Sequence, residues 1–151
     1  MPNTIVLKGK PLRKEAPAGA AVTPGDLVDF SSGDLIRHAN AGQNAAPRFA
    51  VENDLIGSGI TDNYASGFTM RYVMSSPGDE VYGLLASGQN VSQGAFLESA
   101  GNGSLQAYTN QSGQNVYVAA IVAVAAEDKD NSSGDATGPH DGATRIRLEV
   151  V

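Results

Sequence analysis

Hydrophobic and polar residues alternate with a period of two in short segments of this 151-residue chain, most clearly in residues 68–73 and 145–150. Such alternation is typical of β-strands that bury one face. Residues 26–30 and 80–85 are further apolar segments, and each follows a Pro-Gly turn signal. Segments of this kind recur about every ten residues with Gly, Pro or Asn between them. The pattern predicts an all-β fold, either a single β-barrel or a β-sandwich.

Residues 116–124 are rich in β-branched side chains and predict a strand buried on both faces. The surrounding apolar run, residues 116–126, has eleven residues and is too short to cross a bilayer. The first four residues contain no apolar stretch, so we expect no signal peptide. The sequence therefore predicts a protein that is made in the cytoplasm and does not act in a membrane.

An internal repeat relates residues 18–28 to residues 87–97 at a spacing of 69. A second similarity relates residues 50–53 to residues 125–128 at a spacing of 75. Each copy reads as a turn followed by a strand, in which glycine permits a positive φ or a close approach. The repeat predicts a duplicated turn–strand unit whose two copies form one pseudo-symmetric barrel. Its predicted structural turn glycines are Gly19, Gly25, Gly88 and Gly94.

Charge is unevenly distributed along the chain, whose net charge is −6. Lys8, Lys10, Arg13 and Lys14 fall within the first fourteen residues without an acid among them, which leaves six basic and sixteen acidic residues, a net of −10, for residues 15–151. A basic segment before an acidic body does not match the basic face of a nucleic-acid-binding domain. We predict an extended basic arm, residues 1–17, ahead of a barrel domain, residues 18–151. The arm is either a solvated tail or a contact with a negatively charged protein.

Residues 127–143 are polar and rich in turn formers, which predicts an exposed loop. Asp128, Asp130 and Ser132 alternate as in an EF-hand calcium loop. Ser133 then stands where that loop needs glycine, and no glutamate follows at the twelfth position. We therefore predict a solvated loop and no metal site.

The sequence contains few residues of the types that commonly carry out catalysis. Cysteine is absent, and His38 and His140 are about a hundred residues apart without neighbouring ligands at suitable spacing. The Gly-x-Gly fragments at residues 57–59 and 101–103 lack the rest of a dinucleotide-binding motif. We predict no catalytic residue, no cofactor and no enzymatic activity. A polysaccharide hydrolase would need two converging carboxylates, which the sequence does not pair.

Three stretches carry a family resemblance: residues 9–38, residues 48–105 and the closing TRIRLEVV. The most characteristic part is residues 49–67, with the pattern FAVEND…GxGI…DxYxxG. Over nearly its whole length the chain resembles the capsid cement, or head decoration, proteins of tailed phages. The resemblance implies a β-barrel or β-tulip body on the outer surface of the virion head. It implies binding to the major capsid protein, bridging of neighbouring subunits, and stabilisation of the mature shell. It further implies dimers or trimers on local symmetry axes, with no direct contact to nucleic acid. The arm residues Lys8, Lys10, Arg13 and Lys14 would then bind the capsid.

A virion-displayed module that binds a receptor or a carbohydrate is the alternative function. Such a module needs exposed aromatic side chains in a cleft. In this sequence Tyr64, Tyr108 and Tyr117 are the residues that could supply them.

Overall fold

The computed structural model describes residues 2–109, 117 and 119–151, and its fold is all-β, as predicted. A single turn of 3₁₀ helix spans Asp54–Ile56. The predicted strand at residues 116–124 falls partly outside the described residues, and a strand at Ala123–Ala125 occupies its end. The strands are β1 Val6–Lys8, β2 Leu12–Pro17, β3 Val28–Ser31, β4 Asp34–Arg37, β5 Arg48–Ala50, β6 Thr69–Met74, β7 Glu80–Leu85, β8 Gln89–Val91, β9 Phe96–Ser99, β10 Leu105–Ala107, β11 Ala123–Ala125, β12 Lys129–Asn131 and β13 Thr144–Val150.

Strands from the second half of the chain form a closed five-stranded barrel, here called the C-terminal barrel. Its strands are ordered β7-β10-β9-β11-β13, and β13 pairs with β7 to close the ring. β1 is an additional strand on β7. Leu85, Leu97, Leu105, Ile146 and Leu148 fill the interior and are fully buried. The predicted barrel is thus confirmed.

Strands from the first half form a second ring of five, here called the N-terminal barrel. β2, β6 and β5 make one antiparallel sheet, and β3 and β4 make a hairpin. Two isolated bridges join these parts into a ring. Leu27, just before β3, pairs with Phe49 of β5, and Ala18, just after β2, pairs in parallel with Leu35 of β4.

The two barrels share one hydrogen-bonding pattern. The Gly25 amide donates to the Ala50 carbonyl at 2.8 Å, and the Gly94 amide donates to the Ala125 carbonyl at 2.7 Å. The two donor residues are 69 positions apart and the two acceptor residues are 75 positions apart, which are the two spacings of the sequence repeat. By pairing, β2 corresponds to β7, β3 to β9, β4 to β10, β5 to β11 and β6 to β13. The duplicated unit is therefore confirmed.

The duplication is larger than the sequence analysis predicted, because each copy closes a ring of its own instead of sharing one barrel. The barrels then pack against each other through Leu27, Phe49 and Val73 of the N-terminal barrel, which belong to the same buried cluster as the leucines of the C-terminal barrel. Burying these side chains between the barrels supplies apolar contact that neither small unit provides alone.

Residues 1–17, predicted as an extended arm, contain two strands that are paired with the barrels. Ile5 is fully buried in the shared core, and β1 pairs with β7 at Val6 and Lys8. β2 pairs with β6 along its whole length. The segment is extended and paired with both barrels: β2 is a wall strand of the N-terminal barrel, and β1 is an additional strand on the C-terminal barrel.

Replacing Gly25 with alanine should destabilise the protein more than replacing Gly94. Both glycines have positive φ, of 102° and 90°, so either substitution introduces strain of about 1–2 kcal/mol. A Cβ on Gly25 would also lie 2.6 Å from Arg145 Nη1 and 2.9 Å from the Tyr82 carbonyl, whereas a Cβ on Gly94 meets nothing within 4 Å. We expect a further loss of about 1–3 kcal/mol for Gly25→Ala, measured by chemical denaturation. Equal losses would contradict the close packing of Arg145 and the Tyr82 carbonyl against Gly25.

Candidate docking surface

β2 has an open edge along its N-terminal part. Its pairing with β6 covers one side, and among the described residues no strand pairs with the other side before the bridge at Ala18. The Ala18 amide donates to the Phe68 carbonyl at 2.8 Å. Hydrogen-bonding direction alternates along an antiparallel ladder, so the amides of Arg13 and Glu15 point away from β6. β2 therefore presents free backbone groups.

The side chains on this open edge are mostly basic. Lys10, Arg13 and Lys14 are exposed, and within the described part of the chain none of them forms an ion pair. Leu12 is 62% exposed beside them. Charged side chains keep an edge strand soluble and discourage pairing with like-charged edges. The same charges favour an acidic partner.

Lys8, the remaining predicted arm residue, is placed differently. It lies on β1, and its Nζ is 3.0 Å from Glu80 Oε2 on the neighbouring strand β7. The structure thus brings Lys10, Arg13 and Lys14 together at one edge and assigns Lys8 to a cross-strand ion pair. Sequence order alone could not separate these roles.

A second exposed apolar surface was not predicted from the sequence. Ile56 is 76% exposed and Phe68 is 67% exposed, and both line a groove of about 240 Å³ beside the start of β6. Leu55 is exposed next to Ile56. In the sequence, the adjacent apolar residues Leu55 and Ile56 inside the otherwise polar segment 52–59 could have indicated this surface.

A buried carboxylate links the two barrels. Asp26 Oδ2 accepts hydrogen bonds from the Thr23 amide and from Arg37 Nε, both at 2.8 Å. Its Oδ1 lies 2.6 Å from His140 Nε2, which belongs to the polar segment of the other half. The sequence analysis found no partner for His140, because the two residues are 114 positions apart. This contact fixes segment 127–143 against the N-terminal barrel.

The pKa of His140 is raised above its ordinary value. Burial acts to lower this pKa, but the hydrogen bond and the negative charge of Asp26 outweigh burial. Arg37 lowers the pKa and Asp141 raises it, both by smaller amounts. The protonated imidazole is therefore the form that the folded protein favours near Asp26.

Arg145 is a second buried charged residue between the barrels. Its Nη1 donates to the Pro24 carbonyl and its Nη2 to the Ile60 carbonyl, both at 2.7 Å. Its guanidinium lies 5.7 Å from the centre of the Tyr82 ring, and burial lowers its pKa. Arg145 and Tyr82 line a cleft of about 370 Å³ between the barrels. Arg145 thus joins a C-terminal strand to two loops of the N-terminal barrel.

The predicted exposed loop at residues 127–143 is more structured than a solvated loop. β12 lies within it and pairs with β8. The buried Asn131 side chain donates to the carbonyls of Leu85, Ala86 and Gly142 at 3.0–3.1 Å. Asp130 accepts hydrogen bonds from the amide and hydroxyl of Ser132, an arrangement of an Asx turn.

The described residues contain no cluster of His, Cys, Asp or Glu that could hold a metal ion. His38 is buried, with Nδ1 2.7 Å from Ser99 Oγ and Nε2 3.0 Å from the Asn44 carbonyl. No helix in the described part of the chain is long and apolar enough to span a membrane.

Of the tyrosines proposed for a carbohydrate-binding cleft, Tyr64 is buried, and its hydroxyl donates to the Val51 carbonyl at 2.6 Å. Tyr108 and Tyr117 are partly buried.

Of the remaining predicted turn glycines, Gly88 has a φ of 85°. Gly19 lies in a bend, where a Cβ would be 3.0 Å from Asp34 Cβ and 3.1 Å from Ile36 Cγ2.

These features define an all-β protein of two packed barrels in which, among the described residues, the N-terminal part of β2 has an unpaired and basic edge. No family model and no curated protein matches the chain. Among solved structures, the chain is similar to the head fiber gp8.5 N base of bacteriophage phi29, with a TM-score of 0.55 and 12% sequence identity. The match covers 93% of this chain and 93% of that chain. The two proteins therefore share a fold along nearly their full lengths.

Replacing His140 with glutamine should remove a pH-dependent part of the stability. Because the folded pKa is raised, protonation of His140 stabilises the fold fully below its unfolded pKa of about 6.5. This stabilisation is lost as the pH rises through the folded pKa. Glutamine can still donate to Asp26 but does not titrate. We expect the difference in unfolding free energy between wild type and His140→Gln to be largest below the unfolded pKa of about 6.5 and to shrink as the pH rises above it. A difference that does not vary with pH would contradict the Asp26–His140 ion pair.

Proposed function

We propose that this protein is a capsid cement or decoration protein of a tailed phage. It binds the outer surface of the head, contacts the major capsid protein and stabilises the mature shell by bridging neighbouring subunits. The observation that carries the proposal is the fold shared along 93% of both chains with a head fiber base of a phage. The family resemblance of segments 9–38 and 49–67 supports the same class of function.

The open edge of β2 is the surface we assign to shell binding. Lys10, Arg13 and Lys14 provide a local positive charge, whereas residues 15–151 carry a net charge of −10. Charge complementarity of this kind selects and orients a partner. Covering the exposed part of Leu12 adds stabilisation on the order of 1 kcal/mol. The edge thus combines charge, free backbone groups and one apolar side chain.

Stabilisation of the shell follows from selective binding. A ligand that binds the expanded shell more tightly than the compact precursor shifts the equilibrium towards the expanded shell. Many copies bound to a symmetric shell add their contributions, and a subunit that spans two capsid subunits gains from multivalency. A self-association of the protein into dimers or trimers on symmetry axes would increase this effect.

Lys14→Glu should weaken binding to expanded, undecorated heads of the phage at least about tenfold, measured by co-sedimentation. Lys129→Glu changes the net charge equally but lies in β12, away from the open edge, and should bind as the wild type does. Wild-type binding should weaken as the salt concentration rises, because exposed charges are screened.

Saturable binding at a fixed ratio to the capsid subunit would support the proposed function. No binding of the wild type to either the expanded shell or its precursor would contradict it. Equal losses for Lys14→Glu and Lys129→Glu would assign the effect to net charge, and would contradict the role of the β2 edge.

A further inference from the structure

Because β7 is the strand equivalent to β2, the C-terminal barrel shows which strands cover the corresponding edge. In the C-terminal barrel, β7 pairs with β13 on one side. On its other side, the C-terminal end pairs in parallel with β10 at Leu85 and Leu105, and the N-terminal end pairs with β1. The Tyr82 amide donates to the Ile5 carbonyl at 2.7 Å. Both parts of this edge are therefore covered.

β2 repeats the first part of this arrangement but not the second. Its C-terminal end reaches β4 through the Gly19 amide, which donates to the Leu35 carbonyl at 2.8 Å. The equivalent bond in the C-terminal barrel runs from the Ala86 amide to the Leu105 carbonyl, also at 2.8 Å. No counterpart of β1 lies against the N-terminal end of β2 among the described residues.

Cross-strand pairing fixes which residues of β2 and β7 correspond. The pairs run through the equivalent central strands β6 and β13 in the same order: Ala50–Tyr72–Lys14 in the N-terminal barrel and Ala125–Leu148–Val81 in the C-terminal barrel. Lys14 therefore occupies the position of Val81. It follows that Arg13 corresponds to Glu80 and that Glu15 corresponds to Tyr82. The Tyr82 amide is the one that donates to the segment containing β1, at the Ile5 carbonyl.

We propose that an extended, acidic segment of the major capsid protein adds to the open edge of β2 as an antiparallel strand, in the position that β1 occupies on β7. This inference rests on the proposed function and specifies how the shell is bound. The Glu15 amide, equivalent to the Tyr82 amide, donates to the backbone of the added segment. Strand addition of this type obtains affinity from main-chain hydrogen bonds and specificity from side chains.

The expected charge of the added segment follows from one position at which β7 and β2 carry side chains of opposite charge. On β7, Glu80 forms an ion pair with Lys8 of β1. On β2, the corresponding residue is Arg13, so the favourable partner at the position of Lys8 is an acid. Directly opposed like charges destabilise a strand pair. A β1 segment from a second copy would place its Lys8 against Arg13, and the reversed charge therefore disfavours this occupant.

Glu15→Pro compared with Glu15→Ala tests the hydrogen bond at this edge. Proline removes the amide that points outward and leaves the bonds between β2 and β6 intact, because residue 15 does not bond to β6. Pro17 already occupies an outward-pointing position in the same strand. Both variants lose the contact of Glu15 with Arg71 equally. We expect Glu15→Pro to bind expanded, undecorated heads at least about tenfold more weakly than Glu15→Ala, with the same melting temperature.

Hydrogen exchange of the wild-type protein gives a second measurement that needs no variant. The amides of Arg13 and Glu15 should exchange more slowly in shell-bound than in free protein. This readout remains decisive if Glu15→Pro proves unstable.

Each outcome separates the two proposals. Shell binding by the wild type, with equal affinities for the two variants and unchanged exchange at residues 13 and 15, would overturn strand addition and leave the proposed function standing. Absence of wild-type binding would overturn both. Self-association of the wild type that Glu15→Pro abolishes, measured by analytical ultracentrifugation, would identify a second copy as the occupant and overturn the acidic segment.

Discussion

Backbone hydrogen bonds that close each five-stranded ring are the constraint on which the rest of the structure depends. Every strand edge must be paired, covered or left to solvent. Closing a ring with five strands leaves a narrow interior, which admits small and medium side chains. The buried cluster of the N-terminal barrel combines small and medium side chains with three larger ones: Ala18, Val22, Val28, Leu35, Ala50, Tyr64, Met70 and Tyr72.

Two equivalent barrels would have no fixed orientation unless some residues broke the equivalence. Asp26 does so. Its backbone position matches that of Ala95, since each amide bonds to the carbonyl three residues before it. The carboxylate of Asp26, however, is buried with donors from Thr23, Arg37 and His140, and Ala95 has no such group. A buried carboxylate is costly unless it is paired. The contact with His140 supplies one of these partners, and together with Arg145 and the shared apolar cluster it favours the observed orientation.

The sequence predicted what depends on local signals. The all-β class, the duplication and the turns at Gly25 and Gly94 were predicted from alternation, spacing and turn residues. The number of rings was not, because closure rests on single bridges such as Ala18–Leu35 that leave no pattern. β2 was interpreted as part of an arm because of its basic residues. Five of its six residues are exposed, so no apolar alternation marked it as a strand. The contact between Asp26 and His140 was missed for a different reason: residues 114 positions apart carry no common signal.

The chain cannot cover the edge of β2 with its own N-terminal segment. β1 ends at Lys8 and β2 begins at Leu12, and β1 is already paired with β7 in the other barrel. The two barrels thus have two equivalent edges, and β1 covers the one on β7. The edge that β1 covers carries Glu80 opposite Lys8, and the open edge carries Arg13 in the place of Glu80. A basic open edge repels other copies of itself and attracts acidic chains. In the proposed strand addition, this charge would disfavour edge-to-edge pairing of two copies and favour an acidic partner.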